Sequence, residues 1–421
     1  MSKTKHNLEE MQITYQELKS IGNEKITTGS LTFDIFLDGG YTPGAYRFYA
    51  PSEHGKTAQM LSWAKGWLDH YKEKAEIIIF DAEGRITASK LETSGVPDSP
   101  YFSEKTVRII PHNISDDVYQ IILDKVKTNP PFGDPDHKKF FFGIDSLDML
   151  IASADFIKSF SEAEKIGATQ VQAALLAKRV GIGLYRRGHH LHILSQVRAN
   201  INTTNPNSPK TKVSGGNAML HMANLMGEIL KDWNEMYIYE NPKATTKAAK
   251  GLVIGKYHTI KMLKTPNEKT HHVIRIPIKY GVGIWWEREI SDLVLAYELV
   301  TVKGSWHYLN EEWIDRINTE VNIAKRNEYV KEHQKLTLKE AKEKGEKISA
   351  KKAKELTIQF KAEAEEKIPL FEVEPKWHGY DNFFAYLENN PDVCSWMDKE
   401  LRTVLLGQAI GERVEEESVF E

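Results

Sequence analysis

The segment Ala50-Pro51-Ser52-Glu53-His54-Gly55-Lys56-Thr57 follows a short apolar run, YRFYA over 46–50, and opens a helix-forming stretch that starts at Ala58. A strand, a loop of small and polar residues, Gly-Lys-Thr and a helix limit the chain to folds in which a strand delivers a loop to a helix N-terminus. The N–H groups of such a loop and of the first helical turn have no partners inside the helix, so together they can wrap phosphate oxygens. Residues 51–58 are therefore the expected phosphate contacts. Lys56 would place its charge on the β- and γ-phosphates, and Thr57 would offer its hydroxyl to Mg²⁺. The strict pattern G-x-x-x-x-G-K-[ST] has glycine where this chain has Ala50, so the reading needs support from the rest of the sequence.

That support begins with the pattern around the loop. Strand-like runs fall at 46–50, 76–81, 106–111, 139–145 and 190–196, with helical stretches between them at 57–73, 114–128 and 168–187. Near-continuous apolar strands alternating with helices predict an α/β fold with a mostly parallel sheet covered on both faces. Three later strands, at 236–240, 259–264 and 273–279, suggest a turn toward antiparallel pairing. Residues 1–25 read as an N-terminal helix, and 26–312 as the core. Residues 313–370 carry a Lys- and Glu-rich helical insertion, 371–412 a small α-rich C-terminal domain, and 413–421 an acidic tail.

Composition removes some alternatives. The chain has 421 residues, one cysteine and a formal net charge of −3, with 41% apolar and 27% charged residues. A single cysteine, Cys394, excludes an internal disulfide or a multi-cysteine zinc site and suits a reducing compartment. No run approaches the length of a membrane span, so a cytoplasmic protein with no membrane partner is expected. The net charge makes no case for nucleic acid, which local patches rather than the total would bind.

In a parallel sheet of this kind, ligand groups sit at the C-terminal ends of strands. Asp145 ends the run KFFFGID and is placed to hold a water on Mg²⁺ opposite Thr57, although an Asp there can also cap the next helix. Glu83 lies just past the run EIIIFD. It reads as the group that activates the attacking water or, equally, as a solvated loop acid, with Asp81 beside it more structural. Gln196 closes the run HLHILSQ, where its amide can bond a γ-phosphate and report its loss. The polar loop that follows holds three cations, Arg198, Lys210 and Lys212, and no acid, a composition suited to a phosphate backbone. His190 and His192 share one strand face but lack Asp, Glu or Cys at ligand spacing, which argues against a metal there.

Taken in order, these segments resemble the RecA family of DNA recombinases, nearest the phage-encoded, UvsX-like branch. The resemblance runs from ITTGSLTFDIFLDGG (26–40) through APSEHGKT, FDAEG, FFFGIDSLDML and ILSQVRA to VSGGNAM (213–219) and the stretch 278–309. It implies a RecA-like P-loop ATPase core that binds ATP and Mg²⁺, with Glu83 as the catalytic glutamate alongside Lys56 and Gln196. Asp145 would be the Walker B acid. Segments 153–167 and 197–216 would be DNA-binding loops, with Arg198 and Gly215-Gly216-Asn217 as contacts. Lys264 falls where the family has a lysine reaching a neighbour's nucleotide.

The implied partners are single-stranded DNA, homologous double-stranded DNA and further copies of the chain in a helical filament, with a single-strand-binding protein and a loader protein beside them. The N-terminal helix would serve oligomerisation. The location would be the cytoplasm, a host's if the protein is phage-encoded. The family pattern is broken at Ala50, at Lys90 (often a tyrosine), at His221 (a phenylalanine in bacterial members) and at Pro266 (often a lysine). A RecA-fold ring helicase and a weakly hydrolysing mediator that binds single-stranded DNA are the alternative functions.

Overall fold

The computed structural model describes residues 24–130, 133–158, 168–199, 211–213, 219, 221–231, 233–241, 244, 249–343, 348–371 and 375–407. The chain divides into two compact units, Met1–Trp285 and Trp286–Glu421. No helix among the described residues is long and apolar enough to cross a membrane.

The first unit is an α/β layer structure. Helix α1 (Leu31–Phe36) precedes β1 (Gly44–Ala50), and the phosphate-type loop then leads into α2 (Lys56–Tyr71). Next come β2 (Ala75–Asp81), β3 (Val107–Ile110), α3 (Ser115–Thr128) and β4 (Lys139–Asp145). Helix α4 (Ala168–Arg187) leads to β5 (His190–Ala199), β6 (Thr211–Val213) and β7 (Leu225–Ile229). The series ends with β8 (Tyr237–Tyr239), β9 (Val253–Lys264), β10 (Val273–Lys279) and β11 (Gly283–Ile284).

Among the described residues these strands form one sheet in the order β11-β10-β9-β7-β1-β5-β4-β2-β3, with β6 on β5 and β8 on β9. Strands β7, β1, β5, β4, β2 and β3 run parallel. Strands β9, β10 and β11 continue the sheet antiparallel.

Every residue of β1 and of β4 is buried, as strands covered on both faces must be. Alternation then sends side chains to two separate cores. Ile77, Ile79 and Phe141 pack with Met60, Trp63 and Trp67 of α2 on one face. Ile78, Phe80, Phe140 and Phe142 pack with Val118 and Ile122 of α3 and Val180 and Leu184 of α4 on the other. The paired histidines lie inside the first layer. His190 stacks on Phe141 and His192 on Phe48, and burial lowers the pKa of both rings, His192 to about 3.

Several strands differ from the sequence reading. Strand β9 starts at Val253, six residues before the expected run, β5 runs on to Ala199, and short strands such as β6, β7 and β11 lie where no run is expected. A Cβ on Gly227, in the middle of β7, would lie 2.7 Å from the Phe48 ring, so this strand docks against β1 only because that position is glycine.

The second unit opens with α5 (Trp286–Ala296) and a three-stranded antiparallel sheet of β12 (Val300–Lys303), β13 (Trp306–Leu309) and β14 (Lys376–His378). Between β13 and β14 rise two long charged helices, α6 (Ile323–Glu343) and α7 (Ala350–Lys367), which share a thin apolar seam of Val330, Phe360 and Ala364. Helices α8 (Tyr380–Asn389) and α9 (Pro391–Leu406) complete the unit.

Candidate functional site

Parallel pairing brings the ends of β1, β4 and β5 together, and β2 adds its own beside β4. Ala50, the departure from the glycine pattern, is the last residue of β1. It is fully buried, stays in strand conformation and lies in register with Gln196. A side chain at this point therefore meets no backbone demand for glycine. Left-handed backbone within the loop occurs at Glu53 (φ 64°) and Gly55 (φ 82°). Gly55 is constrained a second time, because a Cβ there would lie 2.9 Å from Nδ1 of His258 on β9.

Lys56 begins α2, and its Nζ donates to the carbonyls of Ala50 (3.1 Å) and Pro51 (2.8 Å). Burial lowers the pKa of this ammonium, against the opposing pull of Glu83, Asp145 and Asp148. The Thr57 hydroxyl donates to Asp145 Oδ2 at 2.6 Å, joining the loop to the end of β4. Burial pushes the Asp145 carboxyl up to about 6; the charges of Glu83 and Asp81 add to this, and the Thr57 hydrogen bond and Lys56 oppose it.

Glu83 lies 12% exposed beside them. Its Oε1 accepts from Ser146 Oγ (2.7 Å) and from Gln196 Nε2 (3.0 Å), and its Oε2 sits 3.5 Å from Arg85. Burial by itself would raise this carboxyl. The hydrogen bonds from Ser146 and Gln196 and the cations Arg85 and Lys56 outweigh it, and the pKa lies below the ordinary value. Asp81 instead accepts from the N–H groups of Arg85 and Ile86 and shapes the turn.

The Thr57 hydroxyl and the Asp145 carboxylate are hard oxygen donors side by side, the chemistry that suits Mg²⁺ held partly by water and phosphate. Among the described residues no cluster of three or more His, Cys, Asp or Glu could hold a metal unaided. These groups open on a cleft of about 1290 Å³, lined by the loop from Ser52 to Ala58, Glu83, Arg85, Lys90 and Asp145, and by Lys256 and His258 of β9. The volume exceeds that of ordinary small-molecule pockets.

Gln196 is fixed twice: its amide side chain reaches Glu83, and its backbone N–H donates to Asp148 Oδ2 at 2.6 Å. Beyond it, β5 pairs with β6, setting Val197 opposite Val213, Arg198 opposite Lys212 and Ala199 opposite Thr211. Arg198 and Lys212 thus face each other in the backbone of one hairpin that leaves the site through Gln196.

Of the other expected DNA contacts, Lys210, Gly215, Gly216 and Asn217 lie outside the described residues, as do 159–167 of the first loop and 1–23 of the N-terminal helix. Lys264 is not brought to the loop within this chain. It ends β9, about 20 Å along that strand from His258, and its Nζ donates to the His221 carbonyl at 3.2 Å.

Sequence reasoning missed Ser146, Asp148, Lys256 and His258. Ser146 and Asp148 do follow Asp145 directly, at a strand end where ligand groups gather. Nothing local marks Lys256 or His258.

A mostly parallel sheet flanked by helices, with a Gly-Lys-Thr loop between β1 and α2, defines the fold class as a RecA-like P-loop core. No family model matches the chain. It is similar to curated RecA proteins: 24% identical over 337 residues to that of Malacoplasma penetrans, covering 78% of this chain and 91% of the relative. It is 24% identical over 323 residues to that of Rickettsia prowazekii (74% and 81% covered), and 25% over 298 residues to that of Acholeplasma laidlawii (69% and 78%). Likeness of this extent along both chains supports a place in the RecA family.

Proposed function

We propose that the protein is an ATP-dependent DNA strand-exchange recombinase that polymerises on single-stranded DNA and pairs it with a homologous duplex. The observation that carries this reading is the Gln196–Glu83 hydrogen bond of 3.0 Å, which ties the ATPase centre to the stem of the β5–β6 hairpin. The RecA relatives favour it over a ring helicase or a mediator.

In this mechanism the loop N–H groups from Ser52 to Ala58 and the Lys56 ammonium hold the β- and γ-phosphates. Mg²⁺ at Thr57 and, through water, at Asp145 would neutralise charge on those phosphates. Glu83, ionised at neutral pH because its pKa is lowered, takes a proton from the water that attacks the γ-phosphorus. The Gln196 amide exchanges its bond to Glu83 for one to the γ-phosphate. Arg198, Lys210 and Lys212 would then contact the DNA backbone, together with Gly215, Gly216 and Asn217. Loss of the γ-phosphate returns Gln196 to Glu83 and releases the strand, a nucleotide-gated order–disorder switch.

Filament growth would use residues 1–25 as the docking helix and Lys264 as the cation that reaches a neighbour's nucleotide. Within the family we place the chain nearest the phage-encoded, UvsX-like branch on the order of its motifs. The charged helices α6 and α7 would be an insertion, and the C-terminal helices a small separate domain. A single-strand-binding protein and a loader would act with it in the host cytoplasm. Electron microscopy with single-stranded DNA and a non-hydrolysable ATP analogue tests the proposal: long helical filaments are expected, and closed rings alone would refute it.

A further inference from the structure

Arg47 is a cation that no step above uses. It stands in the middle of β1, only 1% exposed, in a strand buried along its whole length. Burying a guanidinium is costly unless an anion and hydrogen-bond acceptors meet it. Burial lowers its pKa, and the carboxylate of Asp148 leads the groups that oppose this. Its Nε and Nη2 both donate to the Ser195 hydroxyl, at 3.3 and 3.1 Å. In register Arg47 lies opposite Ile193, so its side chain reaches two residues forward along β5, toward the end that carries Gln196.

Both groups it meets bear on Gln196. Ser195 is the residue before it, and Asp148 Oδ2 accepts its backbone N–H at 2.6 Å. Alternation along a strand sends the side chains of Ser195 and Gln196 to opposite faces of β5. On one face the strand is gripped through Ser195, while on the other the Gln196 amide bonds Glu83. A strand held in this way resists a shift of its own backbone when the amide changes partner. The change then passes on to Val197, Arg198 and Ala199, which pair with β6.

We infer that Arg47 is a positioning residue for the coupling of nucleotide to DNA. Through Ser195 and Asp148 it fixes β5 at Gln196, so that a new partner for the Gln196 amide displaces the β5–β6 pair. The inference rests on the switch proposed above and names what keeps its joint stiff. Arg47 itself does not line the cleft.

Three quantities, measured on the full-length protein, test it. They are the affinity for a non-hydrolysable ATP analogue without DNA, the affinity for a single-stranded oligonucleotide without nucleotide, and the factor by which the analogue tightens oligonucleotide binding. Arg47→Met should leave the first two within about twofold of wild type and cut the third by about fivefold or more. Arg47→Lys, which keeps the cation, should recover part of the tightening. Ser195→Ala should lower the tightening in the same direction, and adding it to Arg47→Met should bring little further loss, because both changes break one contact. A wild-type tightening factor in Arg47→Met, even with a lower denaturation midpoint, would overturn the inference and leave the switch standing. An equal loss of all three quantities would overturn it too, since Arg47 would then be a structural cation only. Should Arg47→Met not fold, Ser195→Ala decides by the same criteria. A wild-type protein whose oligonucleotide affinity ignores the analogue would overturn the switch and the inference together.

Discussion

Gln196 and Glu83 stand 113 residues apart in the chain, yet the amide of one donates to the carboxylate of the other at 3.0 Å. One partner lies on β5 just before the residues that pair with β6; the other follows β2 and shares its surroundings with Lys56. The bond links the cleft to the strand that leads on to the polar loop. Together with the Ser146 hydroxyl, Arg85 and Lys56, it holds the Glu83 pKa below the ordinary value against the effect of burial.

Gln196→Ala should separate the two ends of this route. Nucleotide affinity should stay within about threefold of wild type, because no backbone contact of the loop is touched, while ATP should no longer tighten DNA binding. Fluorescence anisotropy of a labelled oligonucleotide, with and without a non-hydrolysable ATP analogue, reads the difference. A variant that still gains DNA affinity from nucleotide would show that coupling runs elsewhere.

Gly55→Ala and Ala50→Gly should behave oppositely, although both sit in the phosphate loop segment. At Gly55 an added methyl meets left-handed backbone and the His258 ring, so a loss of roughly 1–3 kcal/mol and impaired nucleotide binding are expected. At Ala50 the change to the family's glycine removes a buried strand methyl. Nucleotide affinity should not improve, and stability should fall by about 1 kcal/mol. Denaturant titrations and nucleotide binding on both variants check the contrast.

Asp145 makes a pH prediction with a definite sign. Its folded-state pKa, pushed up to about 6, lies above the ordinary carboxylate range near 4, so the folded chain holds this proton more tightly than the unfolded chain. The contribution to stability is fully present below about pH 4 and is lost as pH rises through about 6. At neutral pH the buried charge then costs on the order of 3 kcal/mol. Asp145→Asn should therefore match wild type near pH 4 and exceed it by roughly 2–3 kcal/mol at pH 7, while losing Mg²⁺-dependent stabilisation by ATP. Denaturation curves of both proteins across this range provide the check. A stability difference that does not vary with pH would contradict the assignment.

The parts of the fold legible in the sequence were those whose signal is local. Strand β4 could be read because KFFFGID is apolar between its charged ends and buried on both faces, and α2 because a glycine and a lysine open it. Strand β7 could not, since LMGEI is short and its glycine serves a contact with Phe48 that only the folded sheet reveals. The site divides in the same way. Thr57, Glu83, Asp145 and Gln196 stood at strand or helix ends, where ligand chemistry gathers. Ser146 and Asp148 hold two of those groups through bonds that exist only once β2, β4 and β5 lie side by side. His258 meets Gly55 only because β9 joins the sheet through β7.

The central claim is that nucleotide hydrolysis at Glu83 and DNA held beyond Gln196 are two ends of one switch. Steady-state ATPase activity with and without single-stranded DNA, for wild type and Glu83→Gln, tests it most directly. Single-stranded DNA should stimulate the wild-type rate at least tenfold. Glu83→Gln should lower the stimulated rate by about 10²-fold or more while the protein stays bound to DNA in the presence of ATP. A wild-type rate indifferent to DNA, or a Glu83→Gln variant that hydrolyses ATP as fast as wild type, would contradict the account.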